Sequence, residues 1–188
     1  MNLSSALCAA VIALGIGDNS SRADFACKNM HYVVNSAQAH KVSPALLLSL
    51  IHHESRWKPD TISRSNACGL TQVIPKWTGG RATDGKKYTC KELFEPKVSI
   101  DLGARLLSFW IKDYGKGRIN LGLCGYNAGY RCKGSAPNQS GRSYAQQVRK
   151  TAKKIKRFLK KREKAARIRC LEKAVVIGTE WLPKCGKP

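Results

Sequence analysis

The stretch from Ser43 to Pro59, SPALLLSLIHHESRWKP, leaves its chain few alternatives. Ser43 and Pro44 read as the N-cap and first position of a helix, because a hydroxyl can satisfy a free N–H and proline has none to satisfy. Pro59 cannot continue that helix. Between them Leu47, Leu50, Ile51 and Glu54 fall at i, i+3, i+4 and i+7 and share one face. Glu54 is therefore the last member of an apolar stripe. Desolvation disfavours the charged form of a carboxyl, so such a group keeps its proton toward neutral pH, as a general acid must. A surface glutamate closing an ordinary helix shows the same local pattern, and the helix alone does not separate the two readings.

Residues further along do. Gly69-Leu70-Thr71-Gln72 begins fifteen residues after Glu54 and is followed by Val73-Ile74-Pro75. Gly125-Tyr126-Asn127-Ala128-Gly129 comes much later, then Tyr144. With Glu54-Ser55 these resemble, in order and spacing, the motif set of soluble-type lytic transglycosylases. Leu93 to Ala104, LFEPKVSIDLGA, also looks like that family's helix between its second and third motifs. The resemblance covers roughly residues 30 to 150. It implies a mainly α, goose-lysozyme-like single domain with Glu54 as the catalytic acid. It further implies that Ser55 helps fix substrate or a water near the scissile bond. Tyr126 and Asn127 would line the cleft opposite Glu54, the phenol bonding near the carboxyl and the amide holding substrate. Tyr144 fits the family's last tyrosine. Gln72 has both an amide donor and an acceptor, which suits an acetamido sugar. Thr71 stands where the family more often has methionine, a residue that packs against sugar in relatives.

Hydrolysing a glycoside usually takes two carboxylates flanking the bond. Few acids here could be the second: Asp60 follows Glu54 by six residues, and Asp84, Glu92, Glu95 and Asp101 match no catalytic position of the family. That scarcity suits the chemistry the resemblance implies, in which one glutamate cleaves the β-1,4 bond between N-acetylmuramic acid and N-acetylglucosamine and closes a 1,6-anhydro ring. No metal and no cofactor is implied. Two other readings stand beside it: a goose-type lysozyme hydrolysing the same bond, and a basic module binding nucleic acid or membrane, for which no recognised nucleic-acid motif is present.

The 188 residues suit one domain with a sizeable core and carry 34 Lys/Arg against 12 Asp/Glu, net +22. Half of that charge lies between Arg149 and Lys173, where 13 basic residues face only Glu163 and Glu172. The run reads as a solvated helix face, or as a surface for anionic wall polymer or membrane. At the other end, Leu3 to Gly17 is apolar but too short to span a bilayer comfortably. Ser21-Arg22-Ala23 precedes Asp24 as a signal-peptidase site would, although no Lys or Arg precedes the run. The preferred reading is an export signal; an uncleaved anchor and a first helix of the domain are the alternatives. The resulting scheme is 1–23 signal or anchor, 24–150 catalytic domain and 151–188 basic helix and tail.

Eight cysteines without a CxxC pair argue for disulfides and an oxidising compartment rather than zinc. Connectivity does not follow from sequence; the expected pairs are Cys68 with Cys90, Cys124 with Cys132 and Cys170 with Cys185, while Cys8 would leave with a cleaved signal and Cys27 is left odd. His52 and His53 are adjacent and cannot face one point from a helix. Asp24 to His40 reads as one helix with Phe25, Val33 and Ala37 inward, and Thr78 to Lys91 as a loop. Trp77 could stack on a sugar ring or pack in the core. The helix after Pro96 carries Ile100, Gly103, Ala104, Leu107, Ile111 and Tyr114 inward and stops at Gly115. A helix from Asn120 ends at a left-handed Asn127, and Ser143 caps the last helix. The chain is read as an exported, periplasmic or extracellular monomer, alternatively carried on a virion. Its partner is peptidoglycan, with no specific nucleic acid. The basic C-terminal helix favours a phage endolysin or virion-borne lysin over a wall-remodelling enzyme.

Overall fold

The computed structural model describes residues 2–133 and 138–177, with side chains up to 170. Eight α-helices occur among them: α1 (Leu3–Ala13), α2 (Ser20–Lys28), α3 (Met30–Ala39), α4 (Pro44–Ser55), α5 (Cys90–Leu93), α6 (Pro96–Phe109), α7 (Ile119–Ala128) and α8 (Gln139–Ile177). Two isolated β-bridges, Ile62 with Cys68 and Cys68 with Val73, are the extended pairing among the described residues. No described helix is long and apolar enough to cross a membrane.

The helix carrying Glu54 is the central post. Every residue from Ala45 to His52 is buried, so the expected one-sided stripe is wrapped on nearly all sides. Leu47, Leu48 and Ile51 enter one core with α1, α3, Trp57, Ile100 and Ile155. Leu46 and Leu50 enter a second with Leu107, Leu123, Val148 and Ala152. A smaller cluster of Cys68, Val73, Leu93 and Leu102 lies under the loop region. Buried polar atoms fix α4 against α8: Ser49 Oγ donates to the Val148 carbonyl at 2.7 Å, and His53 Nε2 meets Thr151 Oγ1 at 3.0 Å. A buried hydroxyl without such a partner is costly, so these contacts hold the register of the two helices.

Local chemistry explains where the boundaries depart from expectation. The helix expected over Asp24 to His40 is two, because Asn29 leaves helical geometry between α2 and α3 and its side-chain amide donates to the Phe25 carbonyl at 2.8 Å. Such a bond competes with the helix ladder. α4 ends at Ser55, four residues before Pro59, in a left-handed Arg56. α6 widens into a π turn over Trp110–Tyr114 and stops at Gly115 as expected, with the positive φ angles following at Lys116 and Gly117. α7 runs through a helical Asn127, and Gly129 takes the positive φ instead. α8 begins at Gln139, not Tyr144: Asn138 Oδ1 accepts from Gly141 N–H at 2.7 Å and caps it ahead of Ser143. The boundary drawn at residue 150 falls inside α8, which is continuous to Ile177.

Disulfides join Cys68 to Cys90 and Cys124 to Cys132 as expected. The third corrects the scheme: Cys27 pairs with Cys8. Leu7, Ala10 and Val11 of the same N-terminal helix are fully buried, and that helix packs on α2, α3 and α8. The expected Cys170–Cys185 pair and the folded-back tail fall on Cys185 and its neighbours, outside the described residues.

Candidate active site

Two α4 turns of aliphatic burial bring Glu54 to the edge of the core, and α8 lays Tyr144 across it. The Tyr144 hydroxyl donates to Glu54 Oε1. Burial pushes the carboxyl up to about 7, against the smaller opposing effect of that hydrogen bond, which favours the anion. No other carboxylate contributes to the shift. With Oε1 held as the acceptor, the proton of the neutral acid sits on Oε2. Tyr126 completes the group from α7, its hydroxyl donating to the Thr71 carbonyl at 2.8 Å rather than to the carboxyl. Burial, then the neighbouring Glu54 charge, push both phenols well above their usual range, so both stay protonated donors.

The loop bearing Thr71 and Gln72 is seated by close packing. Gly69 has φ +77°, and a Cβ there would collide with the Leu93 carbonyl. Thr71 does not face the cleft. It is fully buried, its Oγ1 donates to the Ser99 carbonyl at 2.7 Å, and its side chain fills the space above Gly103, where a Cβ would strike it. Gln72 Nε2 donates to the carbonyls of Thr61 and Gly69, both at 3.0 Å. Its donors are thus spent on the loop, and only its carbonyl oxygen remains to meet a ligand, one half of what the amide was expected to offer.

Glu54, Tyr144 and Tyr126 are therefore brought together, and Gln72 follows Thr71 on the loop that Tyr126 bonds. Ser55 is not: it is buried and bonds back to the Ile51 carbonyl at 3.3 Å. Asn127 is exposed on α7 next to Tyr126, with no described hydrogen bond to Glu54. Trp77, at 73% exposure, is an open face and not core, while Trp57 is the buried indole.

Three features around the site carried no sequence signal strong enough to find. Arg56 and Trp57 both have positive φ, at 53° and 65°. Two consecutive non-glycine residues in that region store about 1–3 kcal/mol each, directly after the acid. Trp57 Nε1 is buried without a hydrogen-bond partner among the described residues. The third feature is a latch from the α1–α2 loop. Gly17 N–H reaches His52 Nδ1 at 3.3 Å, Asp18 lies 3.5 Å from Arg56, and Arg56 lies 2.8 Å from His52 Nε2. Burial, reinforced by Arg56 and His53, lowers His52 to about 4, so it is neutral at pH 7. His52 and His53 point to different partners, Gly17 and Arg56 on one side and Thr151 on the other.

A family model described as the Transglycosylase SLT domain matches residues 31–149, more than half of the chain and the part that holds Glu54, the Thr71 loop, Tyr126 and Tyr144. Membrane-bound lytic murein transglycosylase E of Buchnera aphidicola is 35% identical over 86 residues, which is 44% of this chain and 39% of that protein. Membrane-bound lytic murein transglycosylase C of Haemophilus influenzae is 35% identical over 89 residues, 45% of this chain and 24% of that protein. The chain thus spans well under half the length of these relatives. Among solved structures, the 70 kDa soluble lytic transglycosylase of Escherichia coli superposes with a TM-score of 0.60 at 19% identity, covering 69% of this chain and 24% of that one. The lytic transglycosylase Slt of Pseudomonas aeruginosa gives 0.57 at 23% identity, covering 65% and 23%. These two establish the likeness of fold, and the match of the family model from α3 into the first turns of α8 establishes that the chain belongs to the transglycosylase SLT domain family.

Proposed function

We propose that this domain cleaves the β-1,4 bond between N-acetylmuramic acid and N-acetylglucosamine in peptidoglycan and leaves a 1,6-anhydro end. The observation that carries the reading is one protonatable glutamate, raised to about 7 by burial with no second carboxylate acting on it. Glu54 gives its Oε2 proton to the bridging oxygen as the C1–O bond breaks. The acetamido carbonyl of the muramoyl sugar supports the cationic C1 in place of a protein nucleophile. Glu54, now an anion stabilised by the Tyr144 hydroxyl, takes the proton of the C6 hydroxyl, and that oxygen closes on C1. The acid is regenerated and no water enters. Tyr126 braces the Thr71 loop, Gln72 offers its carbonyl oxygen to an N–H of the sugar, and Asn127 and Trp77 are open to neighbouring rings.

Three disulfides among the described residues support an oxidising compartment outside the cytoplasm, where the wall lies. The setting, lysis or entry by a phage or remodelling of a bacterium's own wall, is a separate reading that rests on the basic helix. Mass spectrometry of muropeptides released from purified sacculi tests the chemistry. Products one water lighter than hydrolysis products, absent with Glu54→Gln, are expected; reducing-end muramic acid would mean a lysozyme, and Asp60 would be the first candidate for its second acid.

A further inference from the structure

α8 carries a second surface, on the side turned away from Glu54. Tyr144, Val148, Ala152 and Ile155 face the core. On the opposite side Lys150, Lys153, Arg157, Lys160, Lys164 and Arg167 recur at spacings of three and four residues, form one row and are all exposed. The row is about 25 Å long at 1.5 Å per residue. Lys154 and Lys161 flank it, and no carboxylate among the described residues pairs with any of the six. Its inner end opens on a cavity of about 340 Å³ lined by Asn120, Gln146, Arg149, Lys150, Lys153, Lys154 and Arg157. Arg149 is held there by Asn120 Oδ1 at 3.0 Å. Like charges three and four residues apart destabilise a helix, so the pattern opposes the element that displays it. A partner that neutralises the row removes that repulsion.

We infer that this row is a docking surface for an anionic lipid bilayer, on which the domain lies with its catalytic cleft facing outward. The form of the surface selects that partner. The row is straight and sits on a convex helix, so a plane of headgroup phosphates meets all six cations at once, whereas a flexible polyanion must be ordered along a ridge. No aromatic side chain lies in the row to stack on nucleic-acid bases. Among the described side chains of α8, Ile168 is the one large aliphatic group exposed beside it, so the row itself offers an electrostatic, superficial contact. Cleft and row occupy opposite sides of α8, so a domain held on a membrane still presents Glu54 to the wall above it.

The test is vesicle flotation of the full chain, with phosphatidylcholine vesicles and with vesicles containing 30% phosphatidylglycerol. Three proteins are compared: wild type, the row variant with all six residues changed to Gln, and a control with Lys28, Lys41, Lys91, Lys97, Lys112 and Lys116 changed to Gln. The expected result is binding only to the anionic vesicles, abolished by 0.5 M salt, weakened more than tenfold in the row variant and within twofold of wild type in the control. Equal loss in row variant and control would reduce the effect to net charge and overturn the proposal. So would absence of binding to anionic vesicles. A row variant that floats normally but loses duplex DNA or lipid-free sacculi would overturn it in favour of that polymer. Circular dichroism checks that the row variant is folded, and its product release from lipid-free sacculi reads the cleavage chemistry separately.

Discussion

At the scale of residues the proposed cleavage turns on one proton. Glu54 titrates at about 7 in the folded protein against 4.5 as an isolated carboxyl. Cleavage of sacculi is therefore expected to hold below pH 7 and fall above it, as the acid needed for the first step is lost. The same shift sets a sign for stability. A carboxyl raised on folding binds its proton more tightly in the native state, so its contribution is full below pH 4.5 and is lost as pH rises through 7. Glu54→Gln removes that loss. Its unfolding free energy should match wild type near pH 4 and exceed it at pH 8 by on the order of 3 kcal/mol, while activity drops at least a hundredfold. Tyr144→Phe acts the other way on the titration. The hydroxyl favours the carboxylate, so its removal should raise the Glu54 midpoint, moving the alkaline limb of the pH–rate profile to higher pH as rate falls about tenfold. An unmoved limb would mean that the two groups do not touch in solution.

At the scale of elements, the reach of sequence reasoning followed the range of the interaction. α4 was legible because its start and stripe are local: Ser43, Pro44 and aliphatic residues three and four apart. That it would be enclosed on all sides was not, since this depends on α3, α6 and α8 arriving from elsewhere. The Asn29 break and the Asn138 cap were missed for a related reason, because an asparagine can serve a helix or interrupt it and only its partner carbonyl or N–H decides. The motif residues split likewise. Glu54, Tyr126 and Tyr144 converge, but Ser55 turns its hydroxyl to its own helix and Thr71 serves as a packing residue above Gly103. The loop seat is testable. Gly69→Ala must move the Leu93 carbonyl and adopt a positive φ, which should cost about 2 kcal/mol or more in chemical denaturation and weaken activity by displacing Gln72.

At the scale of the molecule, the N-terminal segment is where sequence and structure part most. Its apolar composition favours a signal over a core helix, whereas the structure gives it long-range partners: the Cys8–Cys27 bridge and burial against α3 and α8. If that helix is part of the folded enzyme, Cys8→Ser with Cys27→Ser should lower stability by about 3 kcal/mol in equilibrium unfolding, the value for a loop of this size. The latch of Gly17 and Asp18 onto His52 and Arg56 then places the same segment against the end of α4. Digestion of sacculi in ¹⁸O-enriched water decides whether one glutamate serves as acid and then base while water takes no part. The muramoyl products should carry no ¹⁸O at C1 and remain one water short of the hydrolysis mass. One ¹⁸O per cleaved bond in the primary product would contradict the account and make the enzyme a hydrolase.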